Sequence, residues 1–177
     1  TLEQLCQIGR TLGADVPACI MGGMTLGQGR GDRLTSLLDP DQSLWPCHYW
    51  VMARAHHGLS TPEVFRTLDQ LREGGVPAQL SDAERAALCA DADTLASVLC
   101  NDLTAPALHL YPELATTIHD AKDAGACAAI LSGSGPTIAV LARDSKHADE
   151  LAEALGTSSE VSAVLPASGP AVGAIVE

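Results

Sequence analysis

Apolar residues recur along the chain at two spacings, one typical of helices and one typical of strands. Over residues 2–12 the apolar side chains lie three or four positions apart, which predicts an amphipathic helix that ends at Gly13. Spacing and capping residues together predict helices over residues 2–12, 17–21, 93–99, 112–124 and 145–155, and two more that begin near 61 and 82. Short apolar runs predict strands over residues 45–53, 128–131, 137–141, 161–165 and 172–176, and the glycine-rich run 24–34 predicts a strand or hairpin.

The order of these elements predicts an α+β fold. In the last third of the chain, two strands joined by a turn are followed by a helix and further strands, which favours a mostly antiparallel sheet with helices on one face. Hydrophobic residues make up 46% of the chain but aromatic residues only 3%, so Ala, Leu, Val and Ile must build the core.

The net charge of the chain excludes some classes of binding partner. Ten basic and 22 acidic residues give a net charge of −12. A surface this acidic repels a phosphate backbone, so we expect no nucleic-acid binding. An anionic substrate would need backbone amides, a metal ion or basic side chains at the place where it binds.

The cysteines give no sign of a metal site or a disulfide framework. Six are present without a C-x-x-C pair or a Cys/His cluster at metal-ligand spacing. The chain also shows no signal peptide and no apolar run long enough to cross a membrane. We therefore expect reduced, mostly buried thiols in a cytoplasmic protein that does not enter the membrane.

Asp15 is the first candidate for chemistry. It follows Gly13 and precedes a helix opened by Pro17, where the positive end of the helix favours the ionised carboxylate. A fixed, ionised carboxylate suits proton removal from a hydroxyl during phosphoryl transfer. Asp is also a favoured N-cap, so a purely structural role is the alternative.

A second candidate is the turn of sequence SGSGP at residues 132–136. Glycines between two strands can aim several backbone N–H groups into one concavity, and such a nest binds phosphate without a lysine. An ordinary turn with glycines at positive φ is an equal alternative. The chain has no Walker A sequence, and the glycines of residues 27–31 lack the spacing of a dinucleotide fingerprint.

The segment around Phe65 offers a third candidate. Thr61 can cap a helix opened by Pro62, and Phe65 follows one turn later. The ring belongs either to the core or to a cleft where it would stack on a base. His56 and His57 are adjacent, and because neighbours on a strand point to opposite faces, we expect no shared metal site there.

Five segments occur in a characteristic order: LGADVP at 12–17, LGQGRGDRL at 26–34, HHGLSTPEVF at 56–65, NDLTAPAL at 101–108 and LSGSGPT at 131–137. This series resembles the 4-diphosphocytidyl-2-C-methyl-D-erythritol kinase family, within the GHMP kinase superfamily. The resemblance extends from about Leu5 to about Leu141. Each motif alone is weakly specific, whereas the ordered series is strongly so.

The resemblance implies an activity and a set of residues. Members of this family transfer the γ-phosphate of ATP, with Mg²⁺, to the 2-hydroxyl of a cytidine-diphosphate-linked methylerythritol, a step toward isoprenoid precursors. On this chain it implies that Asp15 is the catalytic base and that Phe65 stacks on cytosine with Thr61 nearby. Asn101 would support the site. The residues that it places beside the phosphates are Gly133, Ser134, Gly135 and Pro136.

The resemblance also implies a division into domains. Residues 1–40 correspond to the end of an N-terminal ATP-binding domain, and residues 41–177 to the C-terminal domain. The family's glycine- and serine-rich ATP loop, the lysine that assists the aspartate, and the remaining cytidine-pocket residues are expected before Thr1. We therefore expect the isolated chain to be inactive and to self-associate through the exposed former domain interface. Two alternatives stay open: a kinase of the homoserine or mevalonate type, and a non-catalytic remnant that associates with a partner.

Overall fold

The chain divides into two units, the first formed by Thr1–Cys47 and Ser168–Glu177 and the second by His48–Ala167. The structure, a computed structural model, describes residues 1–38, 46–72 and 80–175. The predicted boundary between residues 40 and 41 lies outside the described residues. The assignment of residues 1–40 to an ATP-binding domain stays a prediction.

The first unit begins with two helices and a hairpin. Its elements are α1 (Leu2–Leu12), α2 (Val16–Met21), β1 (Thr25–Gln28) and β2 (Arg33–Ser36). The two strands pair antiparallel, with Thr25 opposite Ser36 and Gln28 opposite Arg33. The glycine-rich run is thus the predicted hairpin.

Helix α1 packs on α2, but not through the face that carries its large apolar side chains. Cys6 and Gly9 are its buried residues. A Cβ atom at Gly9 would lie 2.9 Å from Cδ1 of Ile20, so the small residue lets the two helices approach closely. The apolar side chains at the predicted spacing, which we call the α1 apolar face, are 45–77% exposed; they are Leu2, Leu5, Ile8 and Leu12.

The end of the chain returns to this unit and pairs with the end of α2. Gly23 N–H donates to the carbonyl of Ala171 at 2.7 Å, and Ala174 N–H donates to the carbonyl of Ile20 at 3.1 Å. A Cβ atom on Gly173 would lie 2.2 Å from that Ile20 oxygen, so only glycine fits. The predicted strand over 172–176 is wrong for its described residues. Its partner is a helix end, which offers one bridge, between Gly22 and Val172, rather than a ladder.

The second unit contains most of the regular structure. Its helices are α3 (Thr61–Leu71), α4 (Asp82–Leu88), α5 (Ala92–Ala96), α6 (Thr104–Leu110), α7 (Leu114–Asp123) and α8 (Ser145–Leu155). Its strands are β3 (His48–Ala55), β4 (Ala128–Leu131), β5 (Thr137–Ala142) and β6 (Val161–Gly169), whose last two residues belong to the first unit.

These four strands form one sheet in the order β4-β5-β3-β6. Strand β5 is antiparallel to both β3 and β4. Two helices, α7 and α8, pack against the sheet, while α3 packs on α6. The α+β prediction is confirmed, and the chain order of strands and helices is that of a split β-α-β arrangement.

The two faces of the sheet differ because side chains alternate along each strand. Val51 pairs with Val140 and Ala53 with Ile138, and all four are fully buried. Trp50, Met52 and Arg54 point to the other face, where Arg54 pairs with Thr137. The core continues through residues of α7 and α8, which include Leu114, Ala121, Leu151 and Leu155.

Capping residues and apolar spacing predicted where most helices occur, but they predicted the first and last residues of those helices less accurately. The capping box of α4 is present: Ser81 Oγ accepts from Glu84 N–H at 3.2 Å, and Ser81 N–H donates to the Glu84 carboxylate at 2.7 Å. Helix α5 spans 92–96 rather than 93–99. Both prolines predicted at a first helical position stand second, because α2 begins at Val16 and α3 at Thr61.

The expectation of mostly buried thiols is wrong. None of the six cysteines forms a disulfide within the described residues, and only Cys6 is buried. Cys89 and Cys127 are half-buried, and burial raises the pKa of both thiols. The remaining cysteines are exposed; they are Cys19, Cys47 and Cys100. The expectation followed the general preference of cysteine for buried positions, which these three residues do not obey.

Candidate functional site

The SGSGP turn joins β4 to β5 and is held by its own backbone. Ser132 N–H donates to the carbonyl of Thr137 at 2.8 Å, and Gly135 N–H donates to the carbonyl of Ser132 at 2.9 Å. The Gly135–Pro136 peptide is cis. Gly135 has φ +79°, and a Cβ atom there would lie 2.7 Å from Leu131 Cδ1. The positive φ therefore favours glycine at this position, and a larger residue would also displace the Leu131 side chain.

Two N–H groups of this turn remain available to a ligand. Those of Ser132 and Gly135 are used inside the turn, and Pro136 has none. The N–H groups of Gly133 and Ser134 donate to no acceptor within the described part of the chain. The nest that the sequence predicts is thus reduced to two adjacent donors, which suits one phosphate oxygen.

Asn101 fixes the turn from outside. Its Nδ2 atom donates to the carbonyls of Leu131 and Gly133, both at 2.8 Å. Its Oδ1 atom accepts from Leu103 N–H at 2.9 Å. Since the two carbonyl oxygens can only accept, the nitrogen must face them. Asn101 thus holds the turn without facing a ligand, in agreement with a supporting role.

Thr61 lies against the same turn. The sequence predicts that Thr61 caps α3, but it is the first helical residue, and Ser60 is the N-cap residue. The Thr61 hydroxyl instead forms a hydrogen bond of 2.8 Å with Ser134 Oγ. The structure therefore brings together two residues that the resemblance assigns to different ligands, the substrate and the phosphates.

Phe65 does not enter the core. Its neighbour Val64 is fully buried, whereas Phe65 is 49% exposed one turn after Thr61. An aromatic ring with half its surface in water has a free face for stacking. The core alternative for Phe65 is excluded, and cytosine stacking stays a prediction.

Asp15 occupies the N-cap position of α2 without capping it. Its side chain makes no cap hydrogen bond, and the residue is exposed. The side-chain hydrogen bond that a purely N-capping role would require is therefore absent. Asp15 belongs to the first unit, whereas Thr61, Phe65 and the SGSGP turn belong to the second.

His56 and His57 are placed differently from the expectation. Strand β3 ends at Ala55, so the alternation of strand side chains no longer applies, and both histidines line one groove together with Arg54. Within residues 1–38, 46–72 and 80–175, no group of three or more His, Cys, Asp or Glu could hold a metal ion. None of the helices in these ranges has the length and apolar character needed to cross a bilayer.

The family of the second unit follows from comparison with known proteins. Residues 80–161, which include Asn101 and the SGSGP turn, match the family model described as GHMP kinases C terminal. The second unit carries a GHMP kinase C-terminal domain. Its helices and antiparallel sheet are those of solved GHMP kinase structures, so the fold predicted by resemblance is confirmed.

Individual relatives match nearly all of this chain. A protein of Cutibacterium acnes named 4-diphosphocytidyl-2-C-methyl-D-erythritol kinase is 41% identical over 97% of the chain and 54% of its own length. One of the same name from Streptomyces coelicolor is 44% identical over 98% of the chain and 58% of its own length. The chain thus spans little more than half the length of these relatives.

Solved structures give the same result. A crystal structure of 4-(cytidine 5'-diphospho)-2C-methyl-D-erythritol kinase matches 93% of the chain and 56% of its own chain, with a TM-score of 0.74 and 27% identity. A mevalonate kinase from L. major matches 85% of the chain with a TM-score of 0.60 and 18% identity, a likeness of fold alone.

Arg54 is the residue of this region that sequence reasoning missed. It pairs with Thr137 at the end of β3 and lines the groove with both histidines. The signal was present, because an arginine followed closely by two histidines is a concentration of basic groups in a chain of net charge −12. The sequence cannot show that Ser162, more than a hundred residues away, lies beside it.

We predict that Asn101→Asp destabilises the GHMP kinase domain by about 2 to 4 kcal/mol, since a charged acceptor would face two carbonyl oxygens in place of two donated hydrogen bonds. Urea unfolding followed by circular dichroism measures this change. Gln70→Glu, the same chemical change at an exposed position of α3, is the control and should lie close to the unsubstituted chain. Equal stability of the two variants would contradict the role given to Asn101.

Proposed function

We propose that this chain is part of an ATP-dependent kinase that phosphorylates the 2-hydroxyl of a cytidine-diphosphate-linked methylerythritol, a step of isoprenoid-precursor synthesis. One observation carries the proposal: the hydrogen bond between Thr61 and Ser134 brings the predicted substrate segment against the predicted phosphate turn. The names of relatives 41% and 44% identical support the substrate.

In the proposed transfer, Asp15 and the SGSGP turn take separate roles. Asp15 accepts the proton as the hydroxyl oxygen bonds to the γ-phosphorus and the bond from phosphorus to the bridging oxygen breaks toward ADP. The free N–H groups of Gly133 and Ser134 fit one oxygen of the phosphate chain. Mg²⁺ supplies charge neutralisation in such transfers, and we place no ligand for it in the described part of the chain.

A kinase of the homoserine or mevalonate type is the second candidate of the same class. The solved structures of those enzymes are 18–20% identical to this chain, which supports the fold and not the substrate. A non-catalytic remnant is the third candidate, since the chain spans little more than half of its relatives. Binding of cytidine separates the first candidate from the other two.

We expect Phe65→Ala to weaken cytidine binding at least about fivefold, since stacking on an aromatic ring contributes about 1–3 kcal/mol per base. Isothermal titration of the chain with cytidine measures the affinity. Leu71→Ala is the matched control because Leu71 is another exposed apolar residue of α3, 54% against 49%. A similar loss in both variants would contradict stacking by Phe65, and an absence of binding in the unsubstituted chain would favour the remnant.

The role of Asp15 is testable in a longer protein. The isolated chain should show no turnover with ATP and substrate, because the family's ATP loop is absent from residues 1–177. In a chimera in which the chain replaces the matching segment of the Streptomyces coelicolor relative, Asp15→Asn should lower kcat at least about a hundredfold. Steady-state kinetics provide the measurement.

Glu3→Gln removes one negative charge from an exposed position of the same unit and should leave the kcat of the chimera unchanged. Turnover by the isolated chain at the rate of the chimera would contradict the first expectation. An unchanged kcat in the Asp15 variant would contradict the second.

The α1 apolar face is our proposed site of self-association. Four large apolar side chains on one helix are 45–77% exposed, and such a patch favours association with a second copy. Sedimentation velocity of the isolated chain should show a concentration-dependent dimer or larger species that Ile8→Gln with Leu12→Gln reduces to monomer. Leu71→Gln with Leu165→Gln, exposed positions outside α1, should leave association unchanged. A monomeric unsubstituted chain would contradict the proposal.

A further inference from the structure

A groove with basic walls lies at one end of the sheet in the GHMP kinase domain. Its volume is about 420 Å³, and Arg54, His56 and His57 line it together with the hydroxyl residues Thr137 and Ser162. None of the residues that line it is acidic. In a protein of net charge −12 with its histidines neutral, the guanidinium of Arg54 thus lines a cavity that has no acidic side chain beside it.

Arg54 is fixed in position at the wall of the groove. Its Nε atom donates to Ser162 Oγ at 3.2 Å. The single proton of the Ser162 hydroxyl is in turn shared between the carbonyls of residues 54 and 55, at 3.0 and 2.9 Å from Oγ. The terminal Nη atoms of Arg54 have no acceptor in the described residues. A guanidinium held at Nε with both outer nitrogens unused is prepared for a bidentate anion.

The two histidines complete the wall of the same groove. Nε2 of His56 lies 3.0 Å from the carbonyl of Ser159, which can only accept, so this nitrogen carries a proton. The ring of His57 lies against Tyr111, with centroids 6.1 Å apart. The carboxylate of Glu160 accepts from Ser159 Oγ at 3.1 Å and is not among the residues that line the groove.

The groove adjoins the candidate site through two chain segments. Gly58 lines it, and Thr61 begins α3 three residues later. Pro136 also lines it, and Ser134, the hydrogen-bond partner of Thr61, lies two residues before. The groove therefore lies within three residues along the chain of both partners of the Thr61–Ser134 hydrogen bond.

We propose that this groove binds a diphosphate group, with Arg54 as the principal anion-binding residue. The choice of a cytidine-linked diphosphate as its source rests on the proposed function, since Thr61 follows Gly58, a residue of the groove wall, by three positions. A structural role alone, in which Arg54 joins β3 to β6, uses only the Nε atom and leaves the charged outer nitrogens unexplained.

The experiment compares the binding of whole and partial ligands to the unsubstituted chain and to its variants. The unsubstituted chain is titrated calorimetrically with pyrophosphate, cytidine, CDP and ADP. We expect CDP to bind more tightly than cytidine, and Arg54→Gln to weaken binding of CDP and pyrophosphate about tenfold while cytidine binding stays unchanged. Arg66→Gln, an exposed arginine of α3 that does not line the groove, removes the same charge and should weaken neither.

The outcomes separate this proposal from the proposed function. Equal affinity for cytidine and CDP, or equal losses in the two arginine variants, overturns the diphosphate groove and leaves the kinase proposal standing. Arg54-dependent binding of pyrophosphate without any binding of cytidine supports the groove and argues against the cytidine-linked substrate. Affinity for ADP equal to that for CDP supports the groove and moves the source of the diphosphate to the phosphate donor.

Discussion

The antiparallel pairing of β3 with β5 is the constraint on which the second unit depends. It places Val51 against Val140 and Ala53 against Ile138 on the face that α7 and α8 cover. Because side chains alternate, the same register places Arg54 against Thr137 on the opposite face. One ladder thus determines both the core and the position of the basic groove.

The ends of that ladder position the site. Strand β5 begins directly after the SGSGP turn, and the chain leaves β3 toward α3 at the same end of the sheet. Asn101 holds the turn through two carbonyls, and Thr61 contacts it through Ser134. Small residues make this approach feasible, since a Cβ atom on Gly135 would collide with Leu131. A rigid turn between two strands can present its free N–H groups without a cost of ordering on binding.

The sequence predicted the helices and strands more reliably than the contacts that each of them makes. The α4 capping box, the glycine hairpin and the β4–β5 pair follow from local signals and are present. The strand expected over 172–176 failed because apolar residues cannot say whether a partner strand is available. The periodicity of α1 predicted the helix, but its large apolar side chains are exposed, and the face with Gly9 packs on α2.

The sequence by itself determined the described helices other than α6, the turn that requires Gly135, and the family to which residues 80–161 belong, because these depend on contacts and patterns local in the chain. It also identified Asp15, Thr61 and Phe65 as candidates, while their roles stay predictions. Only the tertiary structure decided that Thr61 meets Ser134, that Phe65 stays out of the core, and that Ser162 fixes Arg54. These contacts join residues up to 108 positions apart, and the register of the sheet, which no local pattern encodes, sets their distances.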